Sequence, residues 1–496
     1  MSDPAPTPRR TDPLGMLVSA ASNIRKSILP AAAGAYGLRD SFGNLGFVAA
    51  FALLVVAIGG IGSVLKWWRT TYVVGAEDIR LESGVVSRSA RSVPYERIQD
   101  VSLEQPLLAR ILGLAEVKFE TGAGGKDELT LAYLPLAEGV RLRELVRDRR
   151  DDSAPNESGP SAGEPAGRIL FAMTPRRLAV FGMFEFSLAA VAVALGAAQQ
   201  LDFLLPFDLW DWDGWRQVLD IPAHRLAEFG PVVQAFAVLA VVLAVAVIGV
   251  TTGLARTFAR DWGFVLERTA KGFRRRRGLL TKSDMVMPAH RVQALQLRTR
   301  WLRRRFGWHG LKFVSLAQDA GSGSHVVAPF AQLDEIEPIV RSAGFVLPGD
   351  GIDWHRPAPR AFIDGALLGA AIPLAIAVGL SFSPLPTLAA IPLLAVPLLV
   401  LRQAFLWRRA HHAIDESQVY ARRGWLAPQV EVASRIKLQS AEIAQGPLAR
   451  RGGYATLHLG LAGGSLALHA VPLNEARQIR SAVLASIAGV DFSRLS

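Results

Sequence analysis

The chain repeats one sequence pattern three times. The segments Gly84–Phe119, Gly278–Phe313 and Gly424–Leu459 align without a gap. Each copy opens with glycine and two apolar residues, continues with a basic residue, an apolar residue and glutamine, and closes with an arginine three positions before a glycine. The residues that carry the later features are Arg97-Ile98-Gln99, Arg291-Val292-Gln293 and Lys437-Leu438-Gln439, then Arg110 and Gly113, Arg304 and Gly307, and Arg450 and Gly453. Self-similarity at matched spacing predicts three copies of one structural module.

Long apolar runs separate the three copies, and half of the 496 residues are hydrophobic. Five runs are close to the ~20 residues that cross a bilayer: Leu45–Leu65, Leu178–Ala198, Val232–Ala255, Ala361–Leu380 and Leu385–Leu401. A sixth run, Ile28–Leu38, is shorter and is compatible with a thin crossing, a re-entrant segment or an interfacial helix. We favour a crossing, because otherwise the basic N-terminus would lie outside. The pattern therefore predicts three membrane hairpins and six spans.

The distribution of charge predicts the orientation of these hairpins. The connector at residues 199–231 is acidic, whereas Arg256–Arg360 carries 19 Lys and Arg against 9 Asp and Glu. The positive-inside rule then places the modules in the cytoplasm and the acidic connector outside. We expect a multi-pass protein of the bacterial inner (cytoplasmic) membrane.

These observations predict an order of segments along the chain. We expect an N-terminal cytoplasmic segment at 1–27, a first hairpin at 28–65 with a weak first half, module 1 at 66–150, a flexible linker at 151–177, a second hairpin at 178–255 with the external connector 199–231, module 2 at 256–347, a linker at 348–360, a third hairpin at 361–401 and module 3 at 402–490.

Each module shows β-structure followed by one helix. Short apolar stretches such as Tyr72–Val74, Val117–Phe119 and Leu129–Leu131 predict strands. A segment with helical spacing follows a proline in every copy, at Pro135, Pro329 and Pro472. The fold class is therefore membrane α-helical hairpins plus α+β soluble modules.

The motif itself resembles a known family. Arg/Lys-apolar-Gln, followed by apolar-Leu-x-Arg-x-x-Gly, occurs in three copies that each follow a hydrophobic hairpin. This arrangement resembles the bacterial YdbS/YdbT-like pleckstrin-homology (PH) domain family from about residue 14 to 488. The resemblance implies a β-sandwich or partly open barrel capped by a C-terminal helix in each module, and no catalytic residues. The third copy departs from the pattern at Ser434, where the others have Pro94 and Pro288.

Module 2 carries two basic clusters. They comprise Arg274, Arg275, Arg276, Arg277 and Lys282, and then Arg298, Arg300, Arg303, Arg304 and Arg305 with Trp301 and Trp308 interleaved. Three interpretations stay open: arginines that only enforce membrane orientation, a surface that contacts anionic lipid, and a specific head-group pocket. Binding to nucleic acid is disfavoured because the module is tethered to a membrane.

Two ionisable residues, Glu185 and Asp364, lie inside predicted spans. Pairing with Arg176 or Arg177 and with Arg360 would satisfy their charges, whereas a proton or ion pathway is the functional alternative. The repeated basic residue and glutamine of the motif could likewise form a threefold ligand site. The single apolar residue between them favours a half-exposed strand edge instead.

Composition excludes several kinds of site. The chain has no cysteine, which rules out disulfides and thiolate metal sites. Its nine histidines show no metal-ligand spacing, and no cofactor or catalytic motif is present. We predict a non-enzymatic scaffold or binding protein, with anionic inner-leaflet lipids and membrane or cytoplasmic proteins as partners. The resemblance implies a role in envelope maintenance or in resistance to membrane-active agents. The alternative is a transporter of lipid or a small solute formed by the six spans.

Overall fold

The computed structural model describes residues 8–23, 45–84, 89–121, 129–152, 167–186, 231–270, 272–319, 322–349, 351–384, 386–462 and 464–488. The predicted crossing Ile28–Leu38 and nearly all of the acidic connector lie outside these residues. Contacts divide the chain into two units. The smaller unit comprises residues 172–265 and 276–282, and the larger unit contains the remainder.

Each module is built from two antiparallel meanders of three strands. Neighbouring strands follow one another in sequence within a meander, as short connections favour. In chain order the strands are β1 (Arg9–Arg10), β2 (Thr71–Val74), β3 (Asp78–Ser83), β4 (Ser89–Pro94), β5 (Ile98–Gln105), β6 (Leu114–Thr121), β7 (Leu129–Pro135), β8 (Arg168–Ala172), β9 (Val265–Thr269), β10 (Gly272–Arg277), β11 (Lys282–Pro288), β12 (Val292–Arg298), β13 (His309–Asp319), β14 (Ser322–Ala331), β15 (His411–Ile414), β16 (Gln418–Arg423), β17 (Gln429–Ser434), β18 (Leu438–Ala444), β19 (Tyr454–Leu461) and β20 (Gly464–Pro472).

The sheets run from one module into the next. One seven-stranded sheet has the order β7-β6-β5-β11-β10-β9-β8, so the second meander of module 1 continues into the first meander of module 2. A six-stranded sheet, β14-β13-β12-β17-β16-β15, joins modules 2 and 3 in the same way. The remaining sheets are β1-β2-β3-β4 and β18-β19-β20.

A 3-10 turn links the two meanders of every module. The turns are Tyr95–Arg97, Ala289–Arg291 and Arg435–Lys437. The basic residue of the motif thus ends a turn and does not lie on a strand edge as predicted. The apolar residue that follows starts the next strand and is buried in each copy, because Ile98, Val292 and Leu438 are at most 1% exposed.

The turn tolerates the exchange of proline for Ser434. The φ angle is −59° at Pro94 and −60° at Pro288, and −76° at Ser434. Serine therefore reaches the backbone geometry that proline fixes covalently.

The helices, in chain order, are α1 (Leu45–Trp68), α2 (Leu107–Ile111), α3 (Leu136–Asp152), α4 (Pro175–Phe184), α5 (Pro231–Asp261), α6 (Trp301–Arg305), α7 (Leu333–Ser342), α8 (Pro359–Ser381), α9 (Ala390–Arg409), α10 (Pro447–Gly452) and α11 (Leu473–Ala488). Residues 15–23 are also helical. Helices α3, α7 and α11 directly follow the last strand of their modules. In module 3 the residues Ala476, Ile479 and Val483 of α11 join the buried core.

Three stretches of the described residues are long and apolar enough to cross a membrane: Val242–Asp261, Pro359–Ser381 and Pro386–Arg409. Pro359–Ser381 contains the whole predicted run Ala361–Leu380, and Pro386–Arg409 covers the predicted run Leu385–Leu401 except its first residue and continues beyond its end. Helix α1 covers 24 residues over the predicted run Leu45–Leu65. Of the predicted run Leu178–Ala198, residues 178–184 are helical and residues 187–198 lie outside the described part of the chain.

In the smaller unit, α4 packs closely against α5. A Cβ atom added at Gly182 would lie 2.8 Å from the Cα atom of Leu254, so glycine is needed for this approach. Asp261 at the end of α5 is fully buried and pairs with Arg260 at 2.7 Å and Arg277 at 3.1 Å.

The segments that flank each predicted hairpin pair with one another. Arg10 pairs with Thr71 across the first hairpin, and β8 lies next to β9 across the second. His355 forms an antiparallel bridge with His412 across the third. These three contacts fall in the segments 1–27, 151–177 and 348–360, where the sequence analysis expected a tail and linkers.

Candidate membrane interface

Each module presents a short helix with exposed apolar side chains. Helices α2, α6 and α10 lie between the first and second strands of the second meander. Each ends at a glycine with positive φ, namely Gly113 (71°), Gly307 (73°) and Gly453 (69°), a conformation that glycine adopts without a Cβ clash. The exposed apolar residues on or beside these helices are Leu107, Leu108, Ile111, Trp301, Leu302, Phe306 and Leu448. Apolar groups gathered at one kind of position mark a contact surface.

In module 3 this short helix adjoins α8, which is long and apolar enough to cross a membrane. A Cβ atom added at Gly452, the last residue of α10, would lie 2.9 Å from the Cγ atom of Arg360 in the first turn of α8. The hydroxyl of Tyr454, directly after α10, donates a hydrogen bond of 2.9 Å to the carboxylate of Asp364. The exposed side chain of Leu448 on α10 therefore belongs to the end of module 3 that adjoins α8.

In module 3 the tip of the first meander contacts helix α9. Trp425 stacks on Phe405 of α9 with ring centroids 4.8 Å apart and planes 6° from parallel. In the smaller unit, the Gly278 and Leu279 amides donate to the carbonyls of Trp262 and Ala259. In modules 2 and 3 the glycine and two apolar residues that open the motif are thus the tip residues. The sequence analysis gave this feature no role, although its occurrence in all three copies was visible.

The second basic cluster contributes charge around α6. Arg298, Arg300, Arg304 and Arg305 are exposed, and so is Trp301, at 65%. Arg303 is 9% exposed, with its guanidinium 5.9 Å from the ring centroid of Phe330. Trp308 stacks on the same ring at 4.2 Å. Arg303 and Trp308 therefore contribute to the core of module 2. The predicted lipid-contact surface around α6 is reduced to the exposed residues of the cluster.

The first basic cluster is mostly engaged within the protein. Strand alternation buries Arg275, which is 6% exposed and donates to the carbonyl of Val326 at 3.1 Å. Arg274 pairs with Asp284 at 2.6 Å, and Arg277 pairs with buried Asp261. Arg276 and Lys282 are exposed. These two are the most exposed members of the cluster.

The two predicted intramembrane carboxylates differ in position. Asp364 is 7% exposed on α8, and its Oδ1 atom lies 3.6 Å from Nε of Arg360, one turn earlier. Glu185 follows the last residue of α4, and its amide donates to the carbonyl of Gly182 at 3.0 Å. Asp364 therefore lies where α8 meets module 3.

The described residues show no group of three or more His, Cys, Asp or Glu side chains that could hold a metal ion.

Burial lowers the pKa of His309, with a further contribution from nearby Arg304. Burial also lowers the pKa of His469.

A cavity of about 230 Å³ lies where β12 meets β17 and is lined in part by Gln296, Arg298 and Glu431. Of the predicted lipid-contact residues, Arg298 is the one that lines it.

Comparison with known proteins gives the family. A family model described as bacterial PH domain matches residues 28–150, 175–343 and 366–487. The transmembrane protein YdbT of Bacillus subtilis (strain 168) is 25% identical over 289 residues. That alignment covers 56% of this chain and 55% of YdbT, so the chain spans about half the length of this relative. No solved structure matches. The resemblance to YdbS/YdbT-like proteins is confirmed. The chain is a membrane protein that belongs to the bacterial PH domain family, with three copies of the domain.

Proposed function

We propose that this protein is a non-enzymatic scaffold that holds three PH domains on the anionic cytoplasmic face of the bacterial inner membrane. The observation that carries the proposal is the short helix with exposed apolar residues, which recurs at equivalent positions in all three domains. In domain 3 this helix adjoins the start of a membrane-spanning helix, so the apolar side chains lie close to the bilayer surface. Membership of the PH domain family supports a role in binding lipids or proteins.

Domain 2 is the strongest candidate for lipid contact. Trp301 is amphipathic and suits the boundary between head groups and acyl chains. Each basic residue near an anionic surface contributes about 1 kcal/mol. On that scale the four exposed arginines around α6 contribute roughly 4 kcal/mol to the attraction between domain 2 and the membrane surface. Spans already tether the domain, so this energy orients it against the membrane.

The hairpin arrangement supports placing all three domains on one side. Strand pairing at Arg10 and Thr71, and the bridge between His355 and His412, bring the two ends of a membrane segment together. A segment whose ends meet crosses the bilayer an even number of times. With the positive-inside rule, this favours three cytoplasmic domains and six spans.

The contacts of Asp364 favour the scaffold over the transport alternative. A carboxylate that serves a proton or ion pathway faces a cavity or another mobile partner. Asp364 instead accepts a hydrogen bond from Tyr454 of domain 3 and lies close to Arg360. We therefore assign it a role in positioning domain 3 on its span.

The lipid contact can be tested with the full-length protein, because the native chain has no cysteine to interfere. Trp301→Cys carries a nitroxide label, and Arg341→Cys at the far end of α7 is the matched control. In nanodiscs that contain anionic lipid, we expect the label at 301 to be accessible to oxygen and shielded from a water-soluble nickel reagent. The label at 341 should show the opposite accessibility.

The same labels distinguish arginines that contact anionic lipid from arginines that only set the orientation of the protein in the membrane. In the Arg304→Gln, Arg305→Gln background, we expect the label at 301 to become more accessible to the nickel reagent in anionic nanodiscs. If the label at 301 is water-exposed in anionic nanodiscs, the lipid contact is wrong. If its accessibility is the same in neutral and anionic nanodiscs, the charge contribution is wrong.

We further propose envelope maintenance as the process in which the scaffold acts. Cells that lack the protein should become more sensitive to membrane-active peptides, and the wild-type gene should restore resistance. Unchanged sensitivity to several such agents would argue against this process while leaving the lipid contact open to the test above.

A further inference from the structure

Each pair of neighbouring domains is joined by the same kind of strand pairing. The first strand of the second meander in one domain pairs with the last strand of the first meander in the next domain, as β5 does with β11 and β12 with β17. In the β12–β17 junction the strands are antiparallel, and Gln296 faces Glu431. One kind of junction therefore occurs twice within the chain.

Among the described residues, the same two kinds of strand also form outer edges of the first and the last sheet. In the part of the chain that the structure describes, β4 is an end strand of the first sheet and β18 an end strand of the last. Glu431 is 3% exposed at the β12–β17 junction, whereas its equivalent on β4, Arg91, is exposed. Gln293 on β12 is 6% exposed, whereas its equivalent on β18, Gln439, is exposed. Exposed edge strands present unpaired backbone groups to another chain.

We propose that β18 of one copy pairs with β4 of a second copy of this chain, in the register of the β12–β17 junction. Glu442 stands eighteen residues after Gly424, as Gln296 stands eighteen after Gly278. Arg91 stands seven residues after Gly84, as Glu431 stands seven after Gly424. The shared register therefore places Glu442 opposite Arg91 of the second copy. Opposite charges that face each other across strands stabilise the pair.

A second contact of the internal junction supports the same pairing. The ammonium group of Lys437 donates a hydrogen bond of 2.6 Å to the carbonyl of Val292 in the preceding domain. The equivalent of Lys437 in domain 1 is Arg97, which is exposed. In the proposed dimer, Arg97 reaches the carbonyl of Leu438, the equivalent of Val292.

The proposed contact joins two different edges, so each copy uses one edge and leaves the other available. Such a head-to-tail interface closes into a ring or extends as a row, according to the rotation between copies. Because every copy is anchored in the bilayer, assembly takes place in the membrane plane.

The absence of cysteine allows a direct test by disulfide formation in full-length protein. One sample mixes an Arg91→Cys copy with a Glu442→Cys copy in native-like membranes. Facing residues in antiparallel strands have Cα atoms about 4.5–5.5 Å apart, within disulfide range. We expect disulfide-linked dimers in this mixture. We expect their loss when Ala90→Cys replaces Arg91→Cys, since Ala90 lies one residue out of register on the other face of the strand.

Two further measurements make the test independent of folding defects. A chain with Leu297→Cys and Val430→Cys should form an internal disulfide, because these residues face each other in the β12–β17 junction. Charge exchange provides the second: Arg91→Glu alone should reduce oligomers on size-exclusion chromatography, and adding Glu442→Arg should restore them. A monomer in membranes, or equal cross-linking through Ala90→Cys and Arg91→Cys, would overturn the proposal.

Discussion

The hydroxyl of Tyr454 donates a hydrogen bond of 2.9 Å to Oδ2 of Asp364, and so links domain 3 to the long apolar helix α8. Asp364 is 7% exposed, and the other oxygen of its carboxylate lies 3.6 Å from Arg360. Burial, followed by the hydrogen bond to Asp364, raises the pKa of the Tyr454 phenol above its usual range. Tyr454 is thus the hydrogen-bond donor of this pair and Asp364 the acceptor.

We expect Tyr454→Phe to loosen domain 3 from α8. A hydrogen bond to a charged group contributes about 1.5–3 kcal/mol, and its loss leaves part of a buried carboxylate unsatisfied. The free energy of opening at the amides of β19, measured by hydrogen exchange in nanodiscs, should fall by that amount. Asp364→Asn is the second arm of a double-mutant cycle, and the double variant should lose less than the sum of the single variants. Additive losses would show that the two side chains do not act together.

The repeated domains and their glycine-terminated helices were predictable from sequence, because they depend on local patterns. Arg304 and Gly307 fix the end of α6 through their spacing alone. The burial of Arg275 could also have been anticipated, since residues alternate between the faces of a strand. The sequence analysis instead treated the four successive arginines as one surface cluster.

The junctions between domains were not predictable in the same way. Pairing between β12 and β17 joins residues more than a hundred positions apart. The sequence of neither strand indicates that its outer edge will pair with a strand of another domain. The strands Arg9–Arg10 and Arg168–Ala172 were missed for a related reason. They are too short or too charged to show periodicity, and the neighbouring strand β2 or β9 stabilises them by backbone hydrogen bonds.

Lys437→Ala should weaken the junction between domains 2 and 3. Burial lowers the pKa of Lys437, so the fold disfavours its charge, yet its hydrogen bond satisfies the carbonyl of Val292. Removing the side chain leaves that carbonyl without this donor, at a cost of about 1–3 kcal/mol. Hydrogen exchange of the β17 amides should accelerate accordingly. Arg480→Ala, an exposed position on α11, is the control and should change the opening free energy by less than about 0.5 kcal/mol.

Gly278→Ala should be more damaging than Gly307→Ala, although both glycines have positive φ. At Gly307 (73°) a Cβ atom would meet nothing within 4 Å, so the cost is the left-handed conformation itself, about 1–2 kcal/mol. At Gly278 (111°) a Cβ atom would lie 1.8 Å from the carbonyl oxygen of Thr281, and the backbone of the tip must move. We expect rapid proteolysis at the β10–β11 turn in Gly278→Ala and a wild-type cleavage pattern there in Gly307→Ala. Equal cleavage in the two variants would contradict the steric explanation.

The stability of domain 3 should depend on pH through His412. Its Nε2 atom lies 2.8 Å from Oε1 of Glu475 on α11, and Nδ1 of His355 lies 2.8 Å from the same oxygen. Burial lowers the pKa of His412, and this outweighs the opposite effect of Glu475; His355 and the neighbouring His411 lower it further. The unfolded chain, with a histidine pKa of about 6.5, therefore binds more protons than the folded chain just below that pH.

Consequently, the contribution of neutral His412 is complete above about pH 6.5 and declines as the pH falls towards its lowered pKa in the fold. We expect the thermal unfolding midpoint of the wild type to fall between about pH 8 and about pH 5.5. His412→Gln should flatten this dependence, whereas His458→Gln on β19 should retain it. A wild-type slope in His412→Gln would show that His412 is not the source of the pH dependence.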